Sequence, residues 1–368
     1  MNDYGNTCKA KYWFTFFYSN FNHILFMFNK AKTLLVNISI SFGTIVILLV
    51  SIGFFYDIYF RNFFKKPVPY TTGTLFKATH SDTLLGYRPN GNTFSYGKKM
   101  FLDTTVYSMA YHLDSYGHRF TPNSLVTNEK FAAFLGCSFT FGDGLNDNET
   151  IPFYFSKNSK IFNGYNFGYS GYGPNQALIK LQHDSLNKII TEKDGIGFYV
   201  FIHDHINRTI GSMSNFMINK GRAPCFEIEG EDLVYKGLFI NVYPRRSSIY
   251  KKMGENGFCR YFKIGHPFKL GDKHFELTGR VLEEVSKEFQ KEFHNNNFYV
   301  IMYPSISQED YEADEKIIKF LKKKNIKYLD YRKLFNPTTK VYSIHHDNHP
   351  TAFANDILTK QMVKDLKL

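Results

Sequence analysis

A serine at one end of a long stretch and an Asp-x-His pair at the other are residue types that can do chemistry together. Ser138 lies in Gly136-Cys137-Ser138-Phe139-Thr140-Phe141-Gly142-Asp143-Gly144, just after the apolar run Phe131-Ala132-Ala133-Phe134-Leu135. A serine between a buried strand and a helix start presents its hydroxyl where backbone N–H groups can stabilise an oxyanion. Taken alone, a Gly-Ser turn is equally a plain helix N-cap. Near the other end stands His345-His346-Asp347-Asn348-His349-Pro350-Thr351. Serine is a poor nucleophile until a base takes its proton, and a neutral histidine needs an acceptor to hold its tautomer. One loop can supply both from Asp347 and His349, and Pro350 suits the first turn of a closing helix. The two motifs together point to nucleophilic chemistry at Ser138.

Other motifs explain less. Gly171-x-Gly173 followed by Gln176 lacks the third glycine of a dinucleotide fingerprint, and Pro174 interrupts it. Ser170 is not in a Gly-x-Ser-x-Gly elbow, because Tyr172 occupies the second glycine's place. His203, His205, His345, His346 and His349 fit no strong zinc spacing. No cofactor and no metal are therefore expected.

The elements that must position these residues follow from pattern. Short apolar runs at 131–135, 165–167, 196–202, 297–303 and 326–329 alternate with helical patterns at 150–158, 175–190, 277–294, 309–324 and 351–366. Strands alternating with helices of this length predict βαβ units and a parallel sheet covered on both faces. In such a sheet ligands bind beyond the carboxyl ends of the strands, where the Ser138 turn falls. Residues 67–128 carry turn signals between short alternating runs and predict a β-rich lead-in. The interval 210–276 breaks the alternation, with a hairpin predicted around Gly230, and reads as an insertion into the 129–368 domain.

Thr33 to Tyr56 carries no charged residue. As a helix it would be about 36 Å long, enough to cross a hydrocarbon core of roughly 30 Å. A cleaved signal peptide needs a shorter apolar stretch and a small-x-small cleavage site, and neither is found. Residues 33–56 are therefore expected to form a single transmembrane helix, and 1–32 a flank whose aromatic stretch, 12–29, lies at the interface, with a second short span there as the lesser reading. Lys9, Lys11, Lys30 and Lys32 before the helix and Arg61, Lys65 and Lys66 after it leave the charge bias too small to orient it. The formal net charge of +12 brings no Lys/Arg block suited to nucleic acid; Lys322-Lys323-Lys324 sits in an amphipathic helical pattern and reads as a solvated face. Cys225 and Cys259 could pair across the insertion if the domain lies outside the cytoplasm.

Gly136 through Gly142 resembles the first block of the SGNH (GDSL-type) hydrolase superfamily, with Cys137 where Asp is usual. Asn166-Phe167-Gly168-Tyr169-Ser170-Gly171-Tyr172-Gly173-Pro174-Asn175-Gln176 is similar to the second block. Asp347-Asn348-His349-Pro350 is similar to the last, with a two-residue step from Asp to His in place of the commoner three. The blocks keep the superfamily's order and span about residues 130–366. The lead-in segments Leu85-Gly86-Tyr87-Arg88-Pro89 and Asp114-Ser115-Tyr116-Gly117-His118-Arg119 are similar to those of bacterial members.

The resemblance implies a three-layer α/β/α, flavodoxin-like domain that cleaves or transfers an acyl group. Carried over residue by residue, Ser138 is the nucleophile, His349 the general base and acid, and Asp347 the orienter; the N–H groups of Ser138 and Gly171 face the oxyanion. The third block departs. The family places Gly-x-Asn-Asp after the central strand, its Asn donating to the oxyanion, whereas here His203-Asp204-His205-Ile206-Asn207-Arg208 follows. An ionised Asp204 cannot donate and a histidine can. His205 is the expected substitute, with Asp204 orienting its ring and His203 and Asn207 as rivals; the bland reading is a segment that only packs.

With the anchor, these features imply a membrane-bound serine ester hydrolase or O-acyltransferase facing away from the cytoplasm. Its expected substrate is an acylated, above all acetylated, envelope glycan or lipid. One span is too few to export an acyl group, so transfer would need an acyl-donor partner protein. The alternative is a non-catalytic envelope scaffold or glycan-binding protein on the same frame, consistent with the altered third block.

Overall fold

A helix without proline need not stop where polar residues interrupt it. The computed structural model describes residues 5–63, 69–73, 79–122 and 129–368, and in it α1 runs unbroken over Gly5–Phe63. The aromatic stretch 12–29, expected as a separate interfacial segment, is part of that helix, since Asn20, Asn22 and His23 carry only small helix penalties. Within α1, Phe26–Tyr56 is long and apolar enough to cross a membrane. Leu34, Ile38, Ile45, Ile47 and Val50 are all exposed, so the apolar surface is not confined to one stripe. By length and composition this is a candidate membrane anchor or signal sequence. Lys65 and Lys66 lie outside the described residues.

The lead-in is β-rich among its described residues. β1 (Tyr70–Gly73), β2 (Thr79–Asp82), β3 (Gly86–Pro89), β4 (Phe94–Phe101) and β5 (Thr104–His112) form an antiparallel sheet ordered β1-β4-β5 and a β2-β3 pair. Strand and helix then alternate through β6 (Lys130–Leu135), α2 (Ser138–Phe141), α3 (Ile151–Ser159), β7 (Phe162–Asn166), α4 (Pro174–His183), β8 (Asp194–Phe201) and α5 (Asp204–Thr209). The predicted insertion holds α6 (Met213–Asn219), the hairpin β9 (Pro224–Glu229) and β10 (Asp232–Leu238), α7 (Phe239–Val242), α8 (Pro244–Glu255) and α9 (Gly257–Tyr261). α10 (Asp272–Phe293), β11 (Phe298–Met302), α11 (Gln308–Lys323), β12 (Tyr328–Asp330) and α12 (Ala352–Leu366) complete the chain.

The central sheet has five parallel strands in the order β12-β11-β8-β6-β7. Numbered along the chain this is 2-1-3-4-5, the flavodoxin-like doubly wound order. Side chains of a strand alternate between faces, and the two cores show it. Phe131, Ala133 and Leu135 of β6 enter a core with Leu178 of α4, Val285 of α10 and Leu321 of α11. Ala132 and Phe134 enter the opposite core with Phe155 of α3 and Leu358 of α12. The three-layer α/β/α arrangement follows.

α4 ends at His183, short of the expected Ile190, because the next residues are captured elsewhere. Asp184 accepts from Lys180 Nζ at 2.8 Å and from two guanidinium N–H groups of the lead-in's Arg88 at 2.9 Å each, and Ser185 turns left-handed at φ 50. Burial alone would raise the Asp184 carboxyl, but Lys180 and Arg88 outweigh it and hold it down to about 2. Lys180 Nζ also donates to His118 Nε2 at 2.9 Å, so His118 is neutral. Burial and the Lys180 charge bring His118 down to about 4, against the pull of Asp114.

Both groups are depressed in the folded state, so each contributes stability above its unfolded pKa that is lost as pH falls through its folded value. The His118 contribution should vanish between pH 6.5 and about 4, and that of Asp184 between 3.8 and about 2. Thermal midpoints of the full-length protein in detergent should show the first step, and His118→Gln should remove it. Parallel pH curves for wild type and variant would sink the assignment.

The chain divides into two compact units, Met1–Lys65 with Asn256–Lys263, and Lys66–Glu255 with Ile264–Leu368. The lead-in and the α/β region thus belong to one unit. Cys225 and Cys259 both carry free thiols. Cys225 is buried at the start of β9, and burial pushes its thiol up to about 12.

Candidate active site

The buried strand β6 delivers the chain to Gly136, whose φ of +152 belongs to glycine and where a Cβ would lie 2.3 Å from Thr140 Oγ1. The turn is therefore tight, and Ser138 opens the single-turn helix α2, which closes on Gly142 at φ +86. Carbonyls at a helix end need outside donors. Asn166 Nδ2 donates to Thr140 O at 2.9 Å and Phe141 O at 3.3 Å. Arg119, 2% exposed, donates to Phe141 O at 2.7 Å, Gly142 O at 2.6 Å and Leu145 O at 2.6 Å. Two segments singled out in the sequence, 114–119 and 166–176, thus pin the serine turn.

The loop before α12 doubles back. Ile344 N–H donates to His349 O at 2.8 Å, while His346 and Asn348 turn left-handed at φ 63 and 72. Asp347 and His349 then meet: His349 Nδ1–H donates to Asp347 Oδ1, and Ser138 Oγ lies 2.8 Å from His349 Nε2. Ser138, His349 and Asp347 form one hydrogen-bonded row. Burial would raise the Asp347 carboxyl, but the His349 hydrogen bond and the His349 and Lys99 charges hold it below its ordinary value. Burial opposes protonation of His349, but the Asp347 hydrogen bond and the Asp143 and Asp347 charges outweigh it and raise its pKa.

Three groups at the site were not anticipated. Lys99 of β4 makes a 3.2 Å ion pair with Asp347 Oδ2. Tyr107 of β5 has its phenol raised by burial and then by the nearby Asp347 charge. Asp143 Oδ2 lies 3.9 Å from His349 Nε2, and its two oxygens accept from Ser170 Oγ at 2.7 and 2.8 Å. Burial raises the Asp143 carboxyl, against the His349 charge and the Ser170 hydrogen bond. For Asp143 a signal existed, a carboxylate in the same glycine-rich turn. Lys99 and Tyr107 had none, because their approach depends on how the lead-in folds over the loop.

Of the predicted oxyanion donors, neither Ser138 N–H nor Gly171 N–H donates to another group among the described residues. Gly171 has φ +80, and a Cβ there would meet Tyr87 Oη at 2.5 Å. Tyr87, in the lead-in segment 85–89, donates to Ser170 O at 2.8 Å.

His205 is fully buried and has no hydrogen bond to Ser138. Its Nδ1 accepts from Tyr199 O–H at 2.9 Å and Ile202 N–H at 3.4 Å, which leaves the proton on Nε2, a buried atom without a partner. Burial and then the Arg208 charge push its pKa well down, keeping the ring neutral. Asp204 does not orient this ring, as had been expected. It pairs with Arg208, one helical turn on, at 2.8 Å, and Tyr199 holds His205 instead. The rival His203 pairs with Asp314 at 2.9 Å and Asp310 at 3.4 Å, while Asn207 O accepts from Ser212 N–H at 3.0 Å.

Beside the row, a cleft of about 280 Å³ is lined by Phe139, Tyr303 and Tyr342, with His203, Asp204 and Asp310. The Phe139 ring lies 5.5 Å from that of His349 and 5.1 Å from that of Tyr303. A larger cavity of about 510 Å³, between the insertion and α10, shares no lining residue with the row. Among the described residues, no group of His, Cys, Asp or Glu is arranged for a metal ion.

No family model and no curated protein matches this chain. Solved structures do. The likeness is to GDSL-type proteins and carbohydrate esterases. A member of the lipolytic protein G-D-S-L family from Veillonella parvula DSM 2008 is 10% identical, with a TM-score of 0.36, over 64% of this chain and 97% of its own. An acetyl xylan esterase is 13% identical, with a TM-score of 0.38, over 64% of this chain and 99% of its own. A carbohydrate esterase family 2 enzyme with a carbohydrate binding domain, from Corynascus thermopiles (Myceliophthora fergusii), is 11% identical, with a TM-score of 0.38, over 82% of this chain and 90% of its own.

Proposed function

We propose that this chain is an SGNH-type serine esterase or O-acyltransferase. The observation that carries the reading is the hydrogen-bonded row Ser138–His349–Asp347. Ser138 Oγ attacks the ester carbonyl carbon as His349 Nε2 takes the hydroxyl proton. The carbonyl oxygen becomes an oxyanion facing the Ser138 and Gly171 N–H groups, each such donor being worth on the order of 10²–10³ in rate when well aimed. The C–O bond to the leaving alcohol then breaks, His349 returns the proton to it, and the acyl group stays on Ser138. Water or a sugar hydroxyl, deprotonated by His349, attacks the acyl-enzyme and frees the serine. Asp347 keeps the Nδ1–H tautomer and balances the imidazolium.

For the substrate, we read an acylated envelope glycan or lipid, the acyl group above all acetyl, met outside the cytoplasm by a domain tethered through α1. The cleft supports the glycan reading: the partly exposed Phe139 ring lines it, and Asp310 can accept sugar hydroxyls. Transfer rather than hydrolysis would call for an acyl-donor partner protein. The second reading, a non-catalytic scaffold or glycan binder, is favoured by one observation, the buried His205 where a third oxyanion donor is expected. The test is full-length protein in detergent, assayed on 4-nitrophenyl acetate and acetylated xylan and treated with a fluorophosphonate. Turnover with label mapped to Ser138 supports the enzyme; a folded protein with neither supports the binder.

A further inference from the structure

A Ser-His-Asp row needs no cation at its aspartate and no second carboxylate at its histidine, yet both are present here. Lys99 and Tyr107 are directly paired across β4 and β5, so both side chains leave the lead-in sheet on the same face. The register shifts between Lys99 and Met100, a bulge of the kind that re-aims side chains. Just beyond it, the Phe101 ring stacks on His346 at 3.8 Å, which seats the strand end on the loop that carries Asp347 and His349. The Asp347 side chain has no exposed surface, so its charge must be answered from within, by Lys99 on one oxygen and His349 on the other. On the far side of the imidazole, Asp143 is held 3.9 Å from Nε2 by the Ser170 hydroxyl.

We propose that Lys99 and Asp143 are positioning residues that bracket His349 with opposite charges, so that the lead-in sheet sets the basicity of the site. The proposal rests on the serine-hydrolase reading above. The groups facing His349 are Asp347 from its own loop, Ser138 and Asp143 from the turn around α2, and Lys99 from β4, with Tyr107, opposite Lys99 on β5, within reach of the Asp347 charge. Lys99 opposes the imidazolium and Asp143 favours it. Removing the cation therefore raises the His349 pKa, and removing the carboxylate lowers it.

The experiment uses full-length protein in detergent, with Lys99→Met, Lys99→Arg and Asp143→Asn, the last keeping an acceptor for Ser170. Two midpoints are read. One is the acid limb of kcat/KM against pH on 4-nitrophenyl acetate, which reports the free enzyme's base. The other is the pH dependence of His349 carbethoxylation by diethyl pyrocarbonate, followed by peptide mass spectrometry, which needs no turnover. Lys99→Met should move both midpoints up and Asp143→Asn should move them down, each by about one pH unit, while Lys99→Arg leaves them in place. Each arm decides separately, so a variant that does not fold leaves the other to judge. Unmoved midpoints in folded variants, with turnover still lost in Ser138→Ala, would overturn the bracket and keep the serine-hydrolase reading. Opposite carbethoxylation shifts without any wild-type turnover would keep the bracket and overturn that reading.

Discussion

Ser138→Ala should lower turnover of an activated acyl ester by about 10⁴–10⁶-fold, the loss seen when a serine hydrolase gives up its nucleophile. Fluorophosphonate labelling should vanish with it. The residual rate would come from the Ser138 and Gly171 N–H groups and from binding, which do not need the hydroxyl. Folding should be nearly untouched, because the Ser138 hydroxyl serves no helix cap: the capping position before α2 is Cys137, and the turn is held by Arg119 and Asn166. The comparison is kcat/KM and label for wild type and variant at equal thermal midpoints. A variant that keeps more than about a tenth of the activity would place the nucleophile elsewhere.

Arg119→Met should be the most destabilising single change outside the packed cores. The guanidinium spends its N–H groups on Phe141 O, Gly142 O, Leu145 O and, at 3.0 Å, Asp147 Oδ1. It also lies over the Tyr111 and Phe141 rings at 4.6 and 5.0 Å. Methionine fills much of the volume but takes a donor from three carbonyls and the cation from a carboxylate, and removing one partner of a buried ion pair costs about 3–5 kcal/mol. For a unit of this size that is a fall in thermal midpoint of about 10 °C. Activity should fall further than the melting curve explains, because the same carbonyls belong to the turn that carries Ser138. Arg119→Lys should not restore the midpoint, since an ammonium cannot serve four acceptors spread around a planar fork. A midpoint for Arg119→Met within about 2 °C of wild type would refute this account.

What was legible in the sequence was whatever neighbours along the chain decide. Phe131–Leu135 had to be a buried strand because every residue in it is apolar and a glycine ends it. The Ser138 turn and the Asp347-x-His349 loop could be named because each motif is contiguous, and a three-layer sheet follows from alternating strands and helices. The third block shows the limit. The residue types of its segment are plain in the sequence, but the partners they take are not. Asp204 and Arg208 are one helical turn apart and pair with each other, while His205 turns inward to Tyr199.

α1 illustrates the same division from the other side. Composition alone determined that an apolar helix lies near the start of the chain, because hydrophobicity is a property of residue types. Its full extent over Gly5–Phe63 depended on the absence of anything to break it, which a hydropathy reading does not weigh. Residue types and their spacing suffice for the strand and helix order, the long apolar helix and the residues able to carry nucleophilic chemistry. Folding alone brings Lys99 to the charge of Asp347, Asp143 to His349 and Arg119 to the serine turn. Those contacts join residues far apart in the chain, and they exist only after cross-strand register and packing bring them within the few ångströms over which charges and hydrogen bonds act.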